Sequence, residues 1–201
     1  EVSDRIRVRN AIPRTATPSA GENANCPVAE TGPPGLSSTG PGGFTAIFNG
    51  GAVTTTVNIN ANSIGDGTGN AFSFSAASSG GMAGINSTAA ATASISVSNN
   101  NFQGFVHSVT GSGAIVFIQI THNKSTAGLT DNINGNTFTN ITANTTGSVW
   151  FISRTGISGS GVNVTENCNN NSIVGSFNKT AAGGIVYLYN APTDSGMGGG
   201  F

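Results

Sequence analysis

"INGNTFTNIT", residues 133–142, is built mostly from Asn, Thr and Gly, with an apolar residue returning at intervals. Its first six residues have three relatives: "INANSI" at 59–64, "VSNNNF" at 97–102 and "CNNNSI" at 168–173. The shared pattern is an apolar residue, two small or polar residues, Asn, a small polar residue, then Phe or Ile. The common Asn falls at Asn62, Asn100, Asn136 and Asn171, at spacings of 38, 36 and 35 residues. The leading apolar position is Ile59, Val97, Ile133 and Cys168, so a thiol replaces an aliphatic side chain in the last copy.

Self-similarity with a period of 20–50 residues is the mark of a solenoid, a propeller or an array. Each period here offers about three short strands separated by turn residues. One strand precedes the motif, as in "TTTVNIN" at 54–60 and "TASISVS" at 92–98. One follows it, as in "FQGFVHSV" at 102–109 and "FTNITANT" at 138–145. After a Gly-containing turn comes an apolar strand: "AFSFSA" (71–76), "AIVFIQI" (114–120), "SVWFIS" (148–153) and "GIVYLY" (184–189). No segment sustains a 3.6-residue period over a helical length, so no long helix is expected. A propeller blade needs four strands. Three strands and an Asn at a constant corner fit a coil of a parallel β-helix. Asn tolerates the left-handed backbone that a tight corner requires, and stacked amides can bond from coil to coil as a ladder.

On these residues, 53–190 resemble the right-handed parallel β-helix of pectate-lyase-like proteins and of large repetitive bacterial surface proteins. The Asn–Phe–"NIT" cadence is closest to the surface proteins. The resemblance implies the handedness, which periodicity does not supply. It leaves activity open, because the same coil carries lyases, tailspikes, adhesins and spacers.

Composition agrees with a β-rich protein of neutral polar surface. Only 7% of the 201 residues are charged and 30 are Gly, where ordinary soluble domains carry about 25% charge. The formal net charge of −1 offers no field to recruit nucleic acid. No apolar run of about 18 residues is present, so no transmembrane helix is expected. Asn- and Thr-rich β chains with few Lys point to a secreted or cell-surface location. Residues 44–190 are read as the solenoid, an all-β domain of about four coils. Residues 1–43 are read as an extended arm and Pro-rich segment, the stretch 11–43 holding six of the seven prolines, and 191–201 as a Gly-rich tail.

The arm alternates Arg5, Ile6, Arg7, Val8 and Arg9, which places basic side chains on one face of a strand and apolar ones on the other. Such an arm suits donation to a neighbouring subunit's sheet edge. Cys26 and Cys168 lie far apart without a CxxC or His cluster, which argues against zinc. A disulfide between them is one reading, and two separate thiols the other.

Candidate sites are sparse, and no cofactor is implied. Polysaccharide lyases and hydrolases of this fold use carboxylates with a basic residue. The solenoid offers Asp66, Asp131 and Glu166, with Lys124, Arg154 and Lys179 as cations. Asp131 and Glu166 each stand two residues before the motif, so they stack on adjacent coils about 4.8 Å apart. Two acids that close either attract a cation or shift a pKa, unless both are simply solvated. They are the only metal candidates. "GDGTG" at 65–69 reads as a turn. His107 and His122 lack an acidic partner at a recognisable spacing, which argues against a triad. Trp150, Phe151, Tyr187 and Tyr189 either form a platform for surface glycans or divide between core and surface. A Thr face for ice binding fails, because Thr54 and Thr92 are followed by Gly128 and Asn163. The expected function is structural and non-enzymatic: a head-to-tail homopolymer of solenoid subunits forming a surface filament or adhesin-like fibre. The alternative is a carbohydrate-binding or polysaccharide-degrading β-helix.

Overall fold

The computed structural model describes residues 36–38, 43–65, 72–74, 77–88, 90–121, 123–156 and 162–190. The arm Arg5–Arg9, Cys26, Asp66, His122 and the tail lie outside them. The described residues form an all-β parallel solenoid of about four turns, with no helix among them.

The chain visits three sheets in fixed rotation. The first turn is β1 (Leu36–Ser38), β2 (Phe44–Asn49) and β3 (Thr56–Asn58). The second is the split pair β4 (Ser63–Gly65) and β5 (Phe72–Phe74), then β6 (Met82–Ser87) and β7 (Ser94–Ser96). The third is β8 (Asn101–His107), β9 (Ile115–Thr121) and β10 (Leu129–Asn132). The fourth is β11 (Thr137–Ala143), β12 (Val149–Thr155) and β13 (Val164–Asn167). β14 (Ser172–Lys179) and β15 (Val186–Asn190) begin a fifth. Every strand pair is parallel. One sheet orders β1-β5-β8-β11-β14 with β4 beside β8, the second β2-β6-β9-β12-β15, and the third β3-β7-β10-β13.

Register is set by which side chains enter the narrow interior, since a one-residue slip would turn every apolar side chain outward. Ile64, Phe102, Phe138 and Ile173 form one column. Met82, Ile115, Val149 and Val186 form another across the interior. Phe102 stacks on Phe138 with centroids 5.2 Å apart, and Phe117 on Phe151 at 5.4 Å. The two stacks meet edge to face, Phe138 against Phe151 at 4.9 Å and 70°. Such pairs add about 0.5–1.5 kcal/mol each beyond their buried area. Gly84 opens the same layer: a Cβ there would collide with the Phe102 ring and the Phe117 carbonyl.

Three expectations are corrected. First, the left-handed residue of the corner is not the common Asn but the one before it: Ala61, Asn99, Gly135 and Asn170, with φ of 56°, 57°, 65° and 56°. That residue turns the chain, which frees the following Asn to point inward. Second, "AFSFSA" does not share a sheet with the other three apolar strands. Its Phe72–Phe74 lies beside β8, and "MAGINS" of β6 occupies the place assigned to it. The cause is an insertion. Gly65 is opposite Gln103 and Phe72 opposite Phe105, so six residues of sequence, 66–71, separate two positions whose partners are separated by Gly104 alone. Third, β1 lies within residues 1–43, read as an extended arm and Pro-rich segment outside the solenoid. The solenoid's sheets therefore start before residue 44.

Candidate functional site

Two polar systems run through the interior. The first is the Asn column. Asn100 and Asn136 have no exposure, and each makes the same four bonds. The Oδ1 of Asn136 accepts from the backbone N–H and the Nδ2 of Asn100, at 3.0 and 2.9 Å. Its Nδ2 donates to the Val97 carbonyl at 2.8 Å and to Asn171 Oδ1 at 2.9 Å. Asn62 donates likewise to Asn100. The rungs point one way: each coil donates to the Oδ1 of the next.

Beneath the rungs runs the column Ile59, Val97, Ile133 and Cys168, the first three buried. Cys168 is half-buried against the core. Its Sγ accepts from Asn171 Nδ2 at 3.4 Å. Burial, with the charge of Glu166, pushes the thiol up to about 11, so it is a weak nucleophile at neutral pH. It is a free thiol, and Cys26 lies outside the described residues.

The second system is ionic. β10 and β13 pair Asp131 with Glu166 side by side, as the repeat spacing implies. They are not two solvated acids. Asp131 is fully buried, and its Oδ1 meets Lys124 Nζ at 2.9 Å and the Ile95 N–H at 3.1 Å. Its Oδ2 accepts from Arg154 Nη2 at 2.7 Å, while Arg154 Nε reaches Glu166 Oε2 at 3.0 Å. Arg154 Nη1 donates to the carbonyls of Thr155 and Gly156, at 3.3 and 3.2 Å. Lys124 also donates to the carbonyls of Ala90 and Ala93. Tyr189 donates its hydroxyl to Glu166 Oε1, and burial followed by that hydrogen bond raises its pKa. Burial lowers the Lys124 pKa, with Asp131 opposing.

Two cations thus answer two anions. The charge that would draw a metal ion to Asp131 and Glu166 is already met by Lys124 and Arg154. No group of three or more metal-ligating side chains occurs among the described residues. Lys179, read with these cations, stands apart and donates to the carbonyls of Thr145 at 2.7 Å and Ala181 at 2.8 Å.

Sequence reasoning named both the acids and the cations but did not pair them, although a signal existed. Aligned by turn, Asp131 occupies the column of Val57 and Ile95, and Arg154 the column of Ile120. Opposite charges entering two interior columns in successive turns are a compensated pair.

The aromatic candidates divide. Phe151 is buried in the core, and Tyr189 is committed to Glu166. Trp150 and Tyr187 stack on each other with centroids 5.8 Å apart and planes 3° from parallel. One face of each ring is therefore spent on the other.

His107 is buried at the end of β8, and burial lowers its pKa from the ordinary value. The folded state then favours neutral imidazole, while the unfolded chain protonates near 6.5. His107 stabilises fully above pH 6.5, and that contribution is lost as pH falls through its lower folded value. Urea midpoints measured from pH 7 to 5 should decline, and His107→Gln should flatten the decline near pH 6. An unchanged slope in the variant would assign the decline to other groups.

What fold and interior define is a parallel β-solenoid repeat protein whose polar groups serve its own stacking. Comparison of the chain with protein-family models, curated proteins and solved structures finds no match.

Proposed function

We propose that this chain is an extracellular structural protein, a right-handed β-solenoid subunit that assembles head to tail into a surface filament or adhesin-like fibre. The observation that carries the reading is the state of the last turn. Ile173, Val186 and Leu188 are 38%, 39% and 64% exposed. Ile173 and Val186 continue columns that are buried one turn earlier at Phe138 and Val149. A solenoid end in this state is a template for further stacking. Right-handedness accords with the general rule for crossovers between parallel strands.

The competing reading is a polysaccharide-active enzyme using Asp131 and Glu166. It needs a carboxyl group facing substrate, whereas Asp131 is wholly buried and bonded through both oxygens. Electron microscopy of the purified chain over a concentration series tests the proposal. Fibres are expected. Monomers at every concentration, or polysaccharide turnover abolished in an Asp131→Ala, Glu166→Ala variant, would defeat it.

A further inference from the structure

The three sheets do not end level. Among the described residues, the first is five strands deep along β1-β5-β8-β11-β14 and the second five along β2-β6-β9-β12-β15. The third is four deep, along β3-β7-β10-β13. The chain visits the sheets in rotation, so the place after β15 belongs to the third sheet, on the outer edge of β13. A second copy seating β1 on β14 and β2 on β15 would hold its β3 two strand spacings from β13. One more strand of the third sheet is needed between them, and an open strand edge is a template for such an addition.

The repeat itself says what that strand must carry. Each third-sheet strand and its corner alternate inward, outward, inward and outward, then place a left-handed residue and the ladder Asn. The copies are "VNINAN" (57–62), "ISVSNN" (95–100), "DNINGN" (131–136) and "ENCNNN" (166–171). "IRVRNA", residues 6–11, is written in the same order. Ile6 and Val8 take the inward places and Arg7 and Arg9 the outward ones. Asn10 takes the left-handed place of Ala61, Asn99, Gly135 and Asn170, a conformation that Asn tolerates. The match fails only at the last place, where Ala11 stands for the ladder Asn. The end of the ladder agrees with that failure. Asn136 Nδ2 donates to a following Asn, whereas Asn171 Nδ2 turns to the weak acceptor Cys168 Sγ of its own turn, at 3.4 Å.

Chain order agrees as well, since residues 6–11 precede β1 as each third-sheet strand precedes a strand of the first sheet. The stretch after β15 does not compete. In earlier turns the third-sheet strand starts seven to nine residues after the second-sheet strand ends: Asn49 to Thr56, Ser87 to Ser94, Thr121 to Leu129, Thr155 to Val164. The same count from Asn190 leads into "MGGGF", whose glycines disfavour a strand.

Resting on the self-assembling reading above, we infer that residues 5–10 of a second copy add to β13 as the fifth strand of the third sheet. The second copy's β1 and β2 then seat on β14 and β15, where Val186 ends the column that Phe44 begins. Its β3 lies on the far side of the added strand. Ile6 covers Glu166, and Val8 covers Cys168. Arg7 enters the outward column Asn58–Ser96–Asn132–Asn167, which holds no charge to repel it. Asn171 and the second copy's Asn62 stand two spacings apart with Ala11 between them, so each ladder stops at the joint. The contact is heterologous and propagates as a filament.

Arg7 of one copy is thereby placed beside Asn167 of another. The spacing of adjacent strands, about 4.8 Å, lies within the Cα range that a disulfide accepts. A full-length chain carrying Arg7→Cys and Asn167→Cys should give a ladder of covalent oligomers on oxidation. Each single variant should give only the background that Cys26 and Cys168 produce. Ile6→Asp, which sets an acid beside Glu166, should leave circular dichroism unchanged and shift light-scattering mass from polymer to monomer.

Three outcomes overturn the inference. In the first, polymers survive Ile6→Asp and no ladder forms, which leaves the self-assembling reading standing with a different joint. In the second, the double variant closes its disulfide within one chain, which assigns the edge of β13 to the copy's own arm. In the third, the native chain stays monomeric at every concentration, and both readings fall.

Discussion

Asn136→Ala should remove a large part of the folding free energy, more than any apolar truncation of similar size. The side chain has no exposure and completes four hydrogen bonds across three successive turns. Alanine leaves the Asn100 backbone N–H, the Asn100 amide and the Val97 carbonyl without their partners in a dry interior. A buried polar group left unmade costs about 1–3 kcal/mol, so the sum reaches roughly 4 kcal/mol or more. That is comparable with the whole stability of a small domain, about 5–15 kcal/mol. Asn171→Ala, at a half-buried rung that water can reach, should cost much less. Urea midpoints of the two variants make the comparison. Equal losses would mean that the ladder adds nothing beyond its individual corners.

The second large effect belongs to Asp131. Asp131→Ala leaves Lys124 and Arg154 buried with one counter-charge fewer, and breaking such a group typically costs about 3–5 kcal/mol. The cluster itself is not expected to be worth that much. Earlier turns fill the same columns with Ile95 and Ile120. Replacing Lys124, Asp131, Arg154 and Glu166 together by Met, Ile, Ile and Val should therefore return stability to within about 2 kcal/mol of native, since exchanging a buried ion network for apolar packing is often neutral or better. If the fourfold variant is as unstable as Asp131→Ala, the ions specify packing that apolar residues cannot reproduce.

The two predictions divide the molecule where sequence and tertiary structure divided the work. From sequence alone came the period, the three strands per turn, and the positions of Asn62, Asn100, Asn136 and Asn171. The adjacency of Asp131 and Glu166 came from the same source. All are relations along the solenoid axis. In a stacked repeat, an equal offset within each period becomes a neighbour in the next, so counting residues is enough. Relations across the interior do not follow from counting. Lys124 and Arg154 reach Asp131 from other parts of the coil, and only its cross-section decides which strands face one another. The assignment of "AFSFSA" failed because residues 66–71 break the count within one turn. The left-handed residue falls one position before the expected one, because only the second place carries Asn in all four copies, while the first is Ala61, Asn99, Gly135 or Asn170. Backbone geometry decides which of the two turns the corner and which turns its amide inward. Periodicity dictated what stacks, and the shape of the coil decided what meets inside it.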